Sequence, residues 1–478
     1  MTDRRLLVID QAPADAGACC GACAASATAE PEGEAEAARS SGAAARPLPS
    51  PLPVVTRRPI ARDLDRRITV AGVLVAIGFV MAAVVTGVVG GARGELTWLP
   101  LHLALAGGAG TAVASVLPFF TSALAVAAPA NPGARAAAIG LVASGAGIVG
   151  GSVASGEAFL GHIGGSVYLA GIAGVALVAF LPLRGALGPR RRRVELAYAV
   201  ALLQVGISVA IATAFLAGWT PVLERWAALK PAHAWLNLVG FVSLIIVATL
   251  IHLAPTVEGT RIRPRRSATV ALAGIALGVP LIALGYGSAA DDVARVGAVV
   301  VLIGALGVPI HALAVGRDHG RWTTDFGWHR LTTHSLRAAS VWFAVAILVA
   351  AGRVVWMGSD PTGWSIGLVA APLAVGWVLQ VLIASWSHLL PAIGPGDQRA
   401  HAVQRRILGQ LSRTRLIAMN AGVALLWVGS AVGVPIVATI GGVGVVAALA
   451  GAVVLAGSAA WSGIRSGPTV AALVPGPR

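Results

Sequence analysis

Charge is scarce in this chain, and cysteine scarcer still. Only 12% of its 478 residues are Asp, Glu, Lys or Arg while 56% are hydrophobic, and a water-soluble chain of that make-up would have more apolar surface than its interior could hide. The three cysteines, Cys19, Cys20 and Cys23, stand together as CCGAC near the N-terminus, so disulfides have no part in the apolar remainder. No Asp, Glu or Lys falls in the middle of an apolar run, which removes the usual sign of proton or sodium coupling at mid-membrane depth. The phosphate-binding GxxxxGKS/T loop and the HExxH zinc motif are missing too, as is any catalytic domain of useful size outside the apolar runs.

What the chain has in abundance is long apolar segments, with a mean hydropathy of +0.81. A run of ~20 such residues spans the hydrocarbon layer as a helix. About twelve can be read along the chain, near 68–92, 99–127, 136–155, 159–183, 194–218, 232–257, 268–287, 292–316, 334–357, 365–393, 416–438 and 440–461. The fold class expected is therefore all-α, a polytopic membrane bundle of about 12 transmembrane helices.

The formal net charge of +15 is a topology signal. With both termini in the cytoplasm, Arg57, Arg58, Arg62, Arg66, Arg67, the four arginines at 190–193, Arg261, Arg263, Arg265, Arg266, Arg405, Arg406, Arg413 and Arg415 fall on the cytoplasmic side. Opposite them stand only Arg93, Arg225, Lys230, Arg295 and Arg353. That asymmetry is the positive-inside rule and places the chain in the cytoplasmic membrane. A basic face of this kind favours anionic membrane lipids as partners, and no nucleic acid is expected. Trp98, Trp219, Trp226, Trp356 and Trp364 fall near outer helix ends and are expected to form an interfacial belt.

Residues 1–55 are rich in Ala, Glu, Ser and Pro, without a periodic apolar face, and are expected to be a disordered cytoplasmic tail. The bundle occupies 60–465 and a second cytoplasmic tail 466–478. Thiolates as close as those of CCGAC suit Cu(I) or zinc, but no fourth ligand is near and the simpler expectation is free thiols in a reducing compartment.

Histidines define the candidate site. In PAHAWLNLVGFVSLIIVATLIHLAPTVEGT, His252 and Pro255 follow Gly240 by twelve and fifteen residues, and His388 and Pro391 follow Gly376 by the same intervals. LHLALAGGAGTAVASVLPFF is a looser echo, with His102 ahead of Gly107 and Gly108. The markers Gly108, Gly240 and Gly376 lie 132 and 136 residues apart, a period that suggests three four-helix repeats. His252 and His388, each three residues before a proline, are expected to be structural and to serve carbonyls that the prolines leave free. His102, His162 and His233 share one depth near the outer surface, where an ionisable or ligating side chain is a functional signal.

Twelve helices, three four-helix blocks and histidines at the outer start of helices two and six resemble subunit I of the haem-copper oxidases, above all the cbb-type oxidase and nitric oxide reductase branch. The NnrS-like twelve-helix proteins, which bind haem and copper, are a second resemblance. The first implies that His102 fills the helix-two role of a haem ligand, and that His233 in HAWLNLVGF is the helix-six ligand. Helix seven, ATVALAGIALGVPLIALGYG, has no histidine, and helix ten opens SIGLVAAPLAVGW where paired ligands belong, so a complete oxygen-reducing centre is not implied.

The resemblance thus implies a haem or copper near the outer face, used in redox, nitrogen-oxide or metal handling, with a redox partner protein. Its site would comprise His102, His233 and, as a third metal ligand, His162, with Arg353 meeting haem propionates. A membrane transporter or a cofactor-free structural protein is the other class.

The topology is testable by labelling. In a chain with its native cysteines replaced, a single cysteine placed in the 190–193 loop should be shielded from a membrane-impermeant maleimide in intact cells. One placed in the 219–230 loop should react.

Overall fold

A computed structural model describes residues 59–93, 98–188, 191–319 and 325–465. Chain contacts divide the protein into Met1–Arg57 and Arg58–Arg478, and the described residues belong to the second unit. Cys19, Cys20 and Cys23, with the tails 1–55 and 466–478, lie outside them.

The described residues form helices and no strand. Twelve of these helices are long and apolar enough to cross a membrane, at Leu64–Gly87, Trp98–Leu124, Pro132–Ser155, Ala158–Gly185, Arg192–Leu216, Trp226–Val257, Arg266–Ser288, Asp291–Gly316, Phe326–Met357, Ile366–Ala392, Ser412–Ala431 and Pro435–Arg465, here spans 1 to 12. The protein is a multi-span integral membrane protein. Span 6 is the most enclosed, 72% of its most apolar window being buried against 22% for span 12, so span 6 lies inside the bundle and span 12 at its rim.

Two boundaries differ from the hydropathy reading for identifiable reasons. Span 6 begins at Trp226 and runs through Pro231. The first four amides of a helix have no intrahelical partner anyway, so a proline at its sixth position forfeits a single bond. Spans 11 and 12 part at 432–434, several residues before the expected break. Gly433 takes a left-handed φ of +69° and Pro435 opens the next helix, the pairing that ends one helix and starts another.

Consecutive spans 3 and 4, 7 and 8, and 11 and 12 pack most intimately. Between spans 7 and 8 the backbones nearly touch. A Cβ at Gly278 would lie 2.5 Å from the Val301 nitrogen, and one at Gly304 would lie 2.8 Å from the Ile275 nitrogen. Without a hydrophobic force between helices in lipid, such close approach is what holds them together.

One end of the bundle carries the arginine-rich loops, and it is pinned by ion pairs that hydropathy cannot show. Arg135 on span 3, only 1% exposed, meets the Asp65 carboxylate of span 1, the Thr69 hydroxyl at 2.9 Å and the Ser115 carbonyl of span 2 at 3.0 Å. Arg337 on span 9 grips Glu258, just past span 6, with bonds of 2.7, 2.9 and 3.1 Å. Burial pushes the Glu258 carboxyl up, against the pull of the Arg337 guanidinium. Arg405, on the short helix Gln398–Leu408, holds Asp325 at 2.6 Å ahead of span 9.

His252 and His388 do not serve the carbonyls that the prolines were expected to leave free. Pro391 releases the carbonyl four residues before it, that of Ser387, and the Trp328 indole N–H takes it at 2.7 Å. His388 stacks flat on the same indole, ring centres 5.0 Å apart, with its Nδ1 unbonded. Neither ring nitrogen of His252 has a protein partner. An indole N–H is always a donor, so Trp328 can serve a lone carbonyl in any protonation state.

The close packing sets a stability contrast. Gly278→Val should lower the unfolding midpoint of the purified protein in detergent, at a cost of about 1–3 kcal/mol. Gly206→Ala, where an added Cβ meets nothing within 4 Å, should leave the midpoint unchanged or raise it, and circular dichroism melts compare the two.

Candidate functional site

Three of the spans are interrupted by a wider, π-helical turn. These turns occupy Leu103–Ala109 in span 2, Leu236–Ser243 in span 6 and Ala371–Leu379 in span 10. Each holds one of the glycines that the sequence marks, Gly107 and Gly108, Gly240 or Gly376. A Cβ would overlap the Phe79 ring at Gly107, the Gln204 amide at Gly240 and the Trp342 ring at Gly376, so in all three the preceding span presses a side chain into the turn.

A widened turn shifts the hydrogen-bond register and leaves carbonyls to be met from elsewhere. The Tyr168 hydroxyl donates to Ala106 at 3.3 Å. Ser243 donates to Leu238, five residues back, at 2.7 Å. The Trp427 indole donates to Leu368, just ahead of the span 10 turn, at 2.8 Å. Trp377 in span 10 then donates to the Ser243 hydroxyl at 3.1 Å and links two of the turns directly. Turns of this kind recur at functional sites, and here two of them lie next to the candidate histidines.

His102 ends the first helical piece of span 2, immediately before its π turn. Its Nε2 lies 3.1 Å from the Ala146 carbonyl of span 3. A carbonyl only accepts, so Nε2 carries the proton and the lone pair of the neutral ring sits on Nδ1. The ring stacks on Trp98 one turn earlier, centres 4.7 Å apart and 18° from parallel.

His233 lies three residues ahead of the π turn of span 6. Its Nδ1 faces the Ser208 carbonyl of span 5 at 3.0 Å and the Ser208 hydroxyl at 2.9 Å, which fixes the proton on Nδ1 and the lone pair on Nε2. The Ser208 hydroxyl donates onward to the His233 carbonyl at 3.1 Å. Asn237, one turn on, donates to that carbonyl at 2.9 Å and to the Ser208 hydroxyl at 2.5 Å, with its nitrogen 3.2 Å from His233 Nε2. Trp226 lies 6.2 Å from the His233 ring and stacks on Phe215. The two imidazoles are near enough for a charge on one to be felt at the other.

The remaining candidates lie apart from this pair. His162 sits half-buried near the start of span 4, its ring edge-on to the exposed Phe159. Among the described residues no group of three His, Cys, Asp or Glu side chains converges as a metal site, so His102, His233 and His162 do not form one three-ligand cluster. Arg353 donates from Nε to the Gly363 carbonyl at 2.7 Å and thereby holds the turn between spans 9 and 10. In that turn the Thr362 amide and hydroxyl keep the Asp360 carboxyl below the usual carboxylate range. The next residue, Trp364, packs on the fully buried Trp235, ring centres 5.7 Å apart, so Arg353 reaches the His233 segment through this turn. Trp98 and Trp226 do more than mark an interface, since each lies against one of the two histidines.

Sequence reading missed Ser208, the Ala146 carbonyl and the π turns. For Asn237 the available signal was its spacing of four from His233. No protein-family model and no curated protein matches this chain.

Proposed function

We propose that the protein works as a redox or metal-handling membrane protein whose centre is the His102 and His233 pair, which would hold one copper ion or a haem iron. The observation that carries the reading is the paired tautomer lock. Each imidazole gives one N–H to a backbone carbonyl of a neighbouring span, which puts the lone pair on its other nitrogen; that of His233 Nε2 accepts from the Asn237 amide at 3.2 Å and would exchange this bond for the metal. Ligating histidines are commonly oriented in this way by a carbonyl behind the ring, and neutral imidazole nitrogen suits both copper and iron.

His102 Nδ1 and His233 Nε2 are the donor atoms, and the Ala146 and Ser208 carbonyls hold them in orientation. Trp98 and Trp226 shield the rings, and the π turns set where the rings project. Bound copper or haem iron would supply one-electron chemistry. The resemblance to haem-copper oxidases and NnrS-like proteins supports the same reading, with four-helix blocks as the underlying unit and a single cofactor site kept where the oxygen-reducing one is absent. On the arginine asymmetry we place both termini in the cytoplasm, so that the pair faces the outer side, where a redox partner protein would dock.

The test is metal content and an absorption spectrum on protein purified from cells supplied with haem and copper. Wild type should carry copper at near one equivalent or show a Soret band, His102→Ala and His233→Ala should lose it, and His388→Ala should retain it. Ser208→Ala, which removes the hydroxyl but keeps the carbonyl, should weaken retention about 10- to 100-fold, as loss of an orienting contact does. Wild type free of both metals would overturn the proposal and favour a transporter or a structural role for the two histidines.

A further inference from the structure

At the arginine-rich end, far along span 6 from His233, a second group of side chains carries buried nitrogens without hydrogen-bond partners. His252 near the end of span 6 and His311 on span 8 are each only 7% exposed. Both ring nitrogens of His252, Nε2 of His311 and Nε of Arg191 are buried and make no hydrogen bond to protein. The elements that carry them pack together: the last part of span 6 lies against spans 5, 7 and 8. Ser267 at the start of span 7 approaches His311 Nδ1 at 3.3 Å, and His252 lies within electrostatic reach of both His311 and Arg191. A buried polar group left unbonded is costly, and here four such atoms share one region.

Their chemistry is that of donors. Arg191 Nε–H can only donate, and each imidazole brings at least one N–H. Arg191 and Arg265 are the residues that immediately precede the helices of spans 5 and 7, and neither helix start is capped by the side chain at that position. A helix N-terminus favours negative charge. Two carboxylates lie nearby: Glu195 accepts from the Arg191 backbone amide at 3.2 Å and Asp318 holds Arg265 at 2.5 Å. Neither bonds to the orphan nitrogens. A metal cation here would face the Arg191 and Arg265 guanidinium groups, whereas an oxyanion would meet the N–H groups of Arg191, His252 and His311.

We propose that Arg191, His252 and His311 form a binding site for one phosphate-type oxyanion, supplied by an anionic lipid headgroup or by free phosphate, at the arginine-rich ends of spans 5, 6 and 8. The site is separate from the His102 and His233 pair and needs nothing from it.

The full chain purified in a neutral detergent tests this. Its unfolding midpoint and its adducts in native mass spectrometry are followed as phosphatidylglycerol is titrated against phosphatidylcholine in mixed micelles, and separately as inorganic phosphate is titrated without lipid. Wild type should be stabilised and retain a bound adduct in at least one arm. A response to phosphatidylglycerol alone identifies the headgroup, and a response to inorganic phosphate identifies the free ion.

Arg191→Gln and His252→Leu should each raise the half-saturating concentration about tenfold or more, the size expected for losing a charge-assisted hydrogen bond. His252→Leu removes two unbonded buried nitrogens and keeps an apolar side chain, so it should fold at least as well as wild type without ligand. Arg193→Gln, which loses an exposed guanidinium bound to the Thr269 hydroxyl, should respond as wild type does. No stabilisation by either probe would overturn the proposal. Equal weakening by Arg193→Gln and Arg191→Gln would overturn it as well, since that would show general surface charge at work.

Discussion

Inside the hydrocarbon layer a backbone carbonyl has no water to turn to, so a helix there can depart from its regular register only where another part of the protein donates a hydrogen bond. Spans 2, 6 and 10 make that departure, and their π turns stand because Tyr168, Ser243 and Trp427 meet nearby carbonyls. The widened turn and the packing around it depend on each other. Glycine leaves room for Phe79, Gln204 or Trp342 to press in, and the neighbouring spans must stay close enough for their donors to reach. Trp377, by bonding the hydroxyl that closes the turn of span 6, makes spans 6 and 10 answer to one another.

The same requirement shapes the two histidines. His102 and His233 are each tied to a carbonyl on a different span, Ala146 on span 3 and Ser208 on span 5. Two rings on different spans are thus oriented by the walls around them, not by their own helices. That arrangement gives fixed lone pairs in a low-dielectric surrounding, the starting point for holding a soft or borderline metal ion.

At the opposite end, charge takes over from packing. Arg135 with Asp65 joins spans 1 and 3, Arg337 with Glu258 joins span 9 to the end of span 6, and Arg405 with Asp325 fastens the helix Gln398–Leu408. Buried pairs of this kind add little net stability over apolar packing, but removing one partner is costly because the other is left charged and alone. Their place here is to fix which spans meet. Both ring nitrogens of His252 and Nε2 of His311 lie within this charged end without a hydrogen bond to protein, whereas both ring nitrogens of His233 face polar neighbours.

The sequence by itself determined the class, the number of spans and the charge asymmetry between the two ends. These follow from the cost of placing polar atoms in hydrocarbon, which is a property of each residue and its near neighbours in the chain. It also marked Gly108, Gly240 and Gly376 as special, though not the turns that hold them. Tertiary structure alone decided that Ser208 and Ala146 lock the two imidazoles, that Trp328 and not His388 serves the Ser387 carbonyl, that Arg353 clasps Gly363, and that His162 stays outside the pair. Those outcomes depend on which spans lie side by side, and the apolar periodicity of a lipid-facing helix is nearly the same on every face. Contacts between residues 25 to 79 positions apart, such as His233 with Ser208 or Arg337 with Glu258, leave no local pattern from which they could be read.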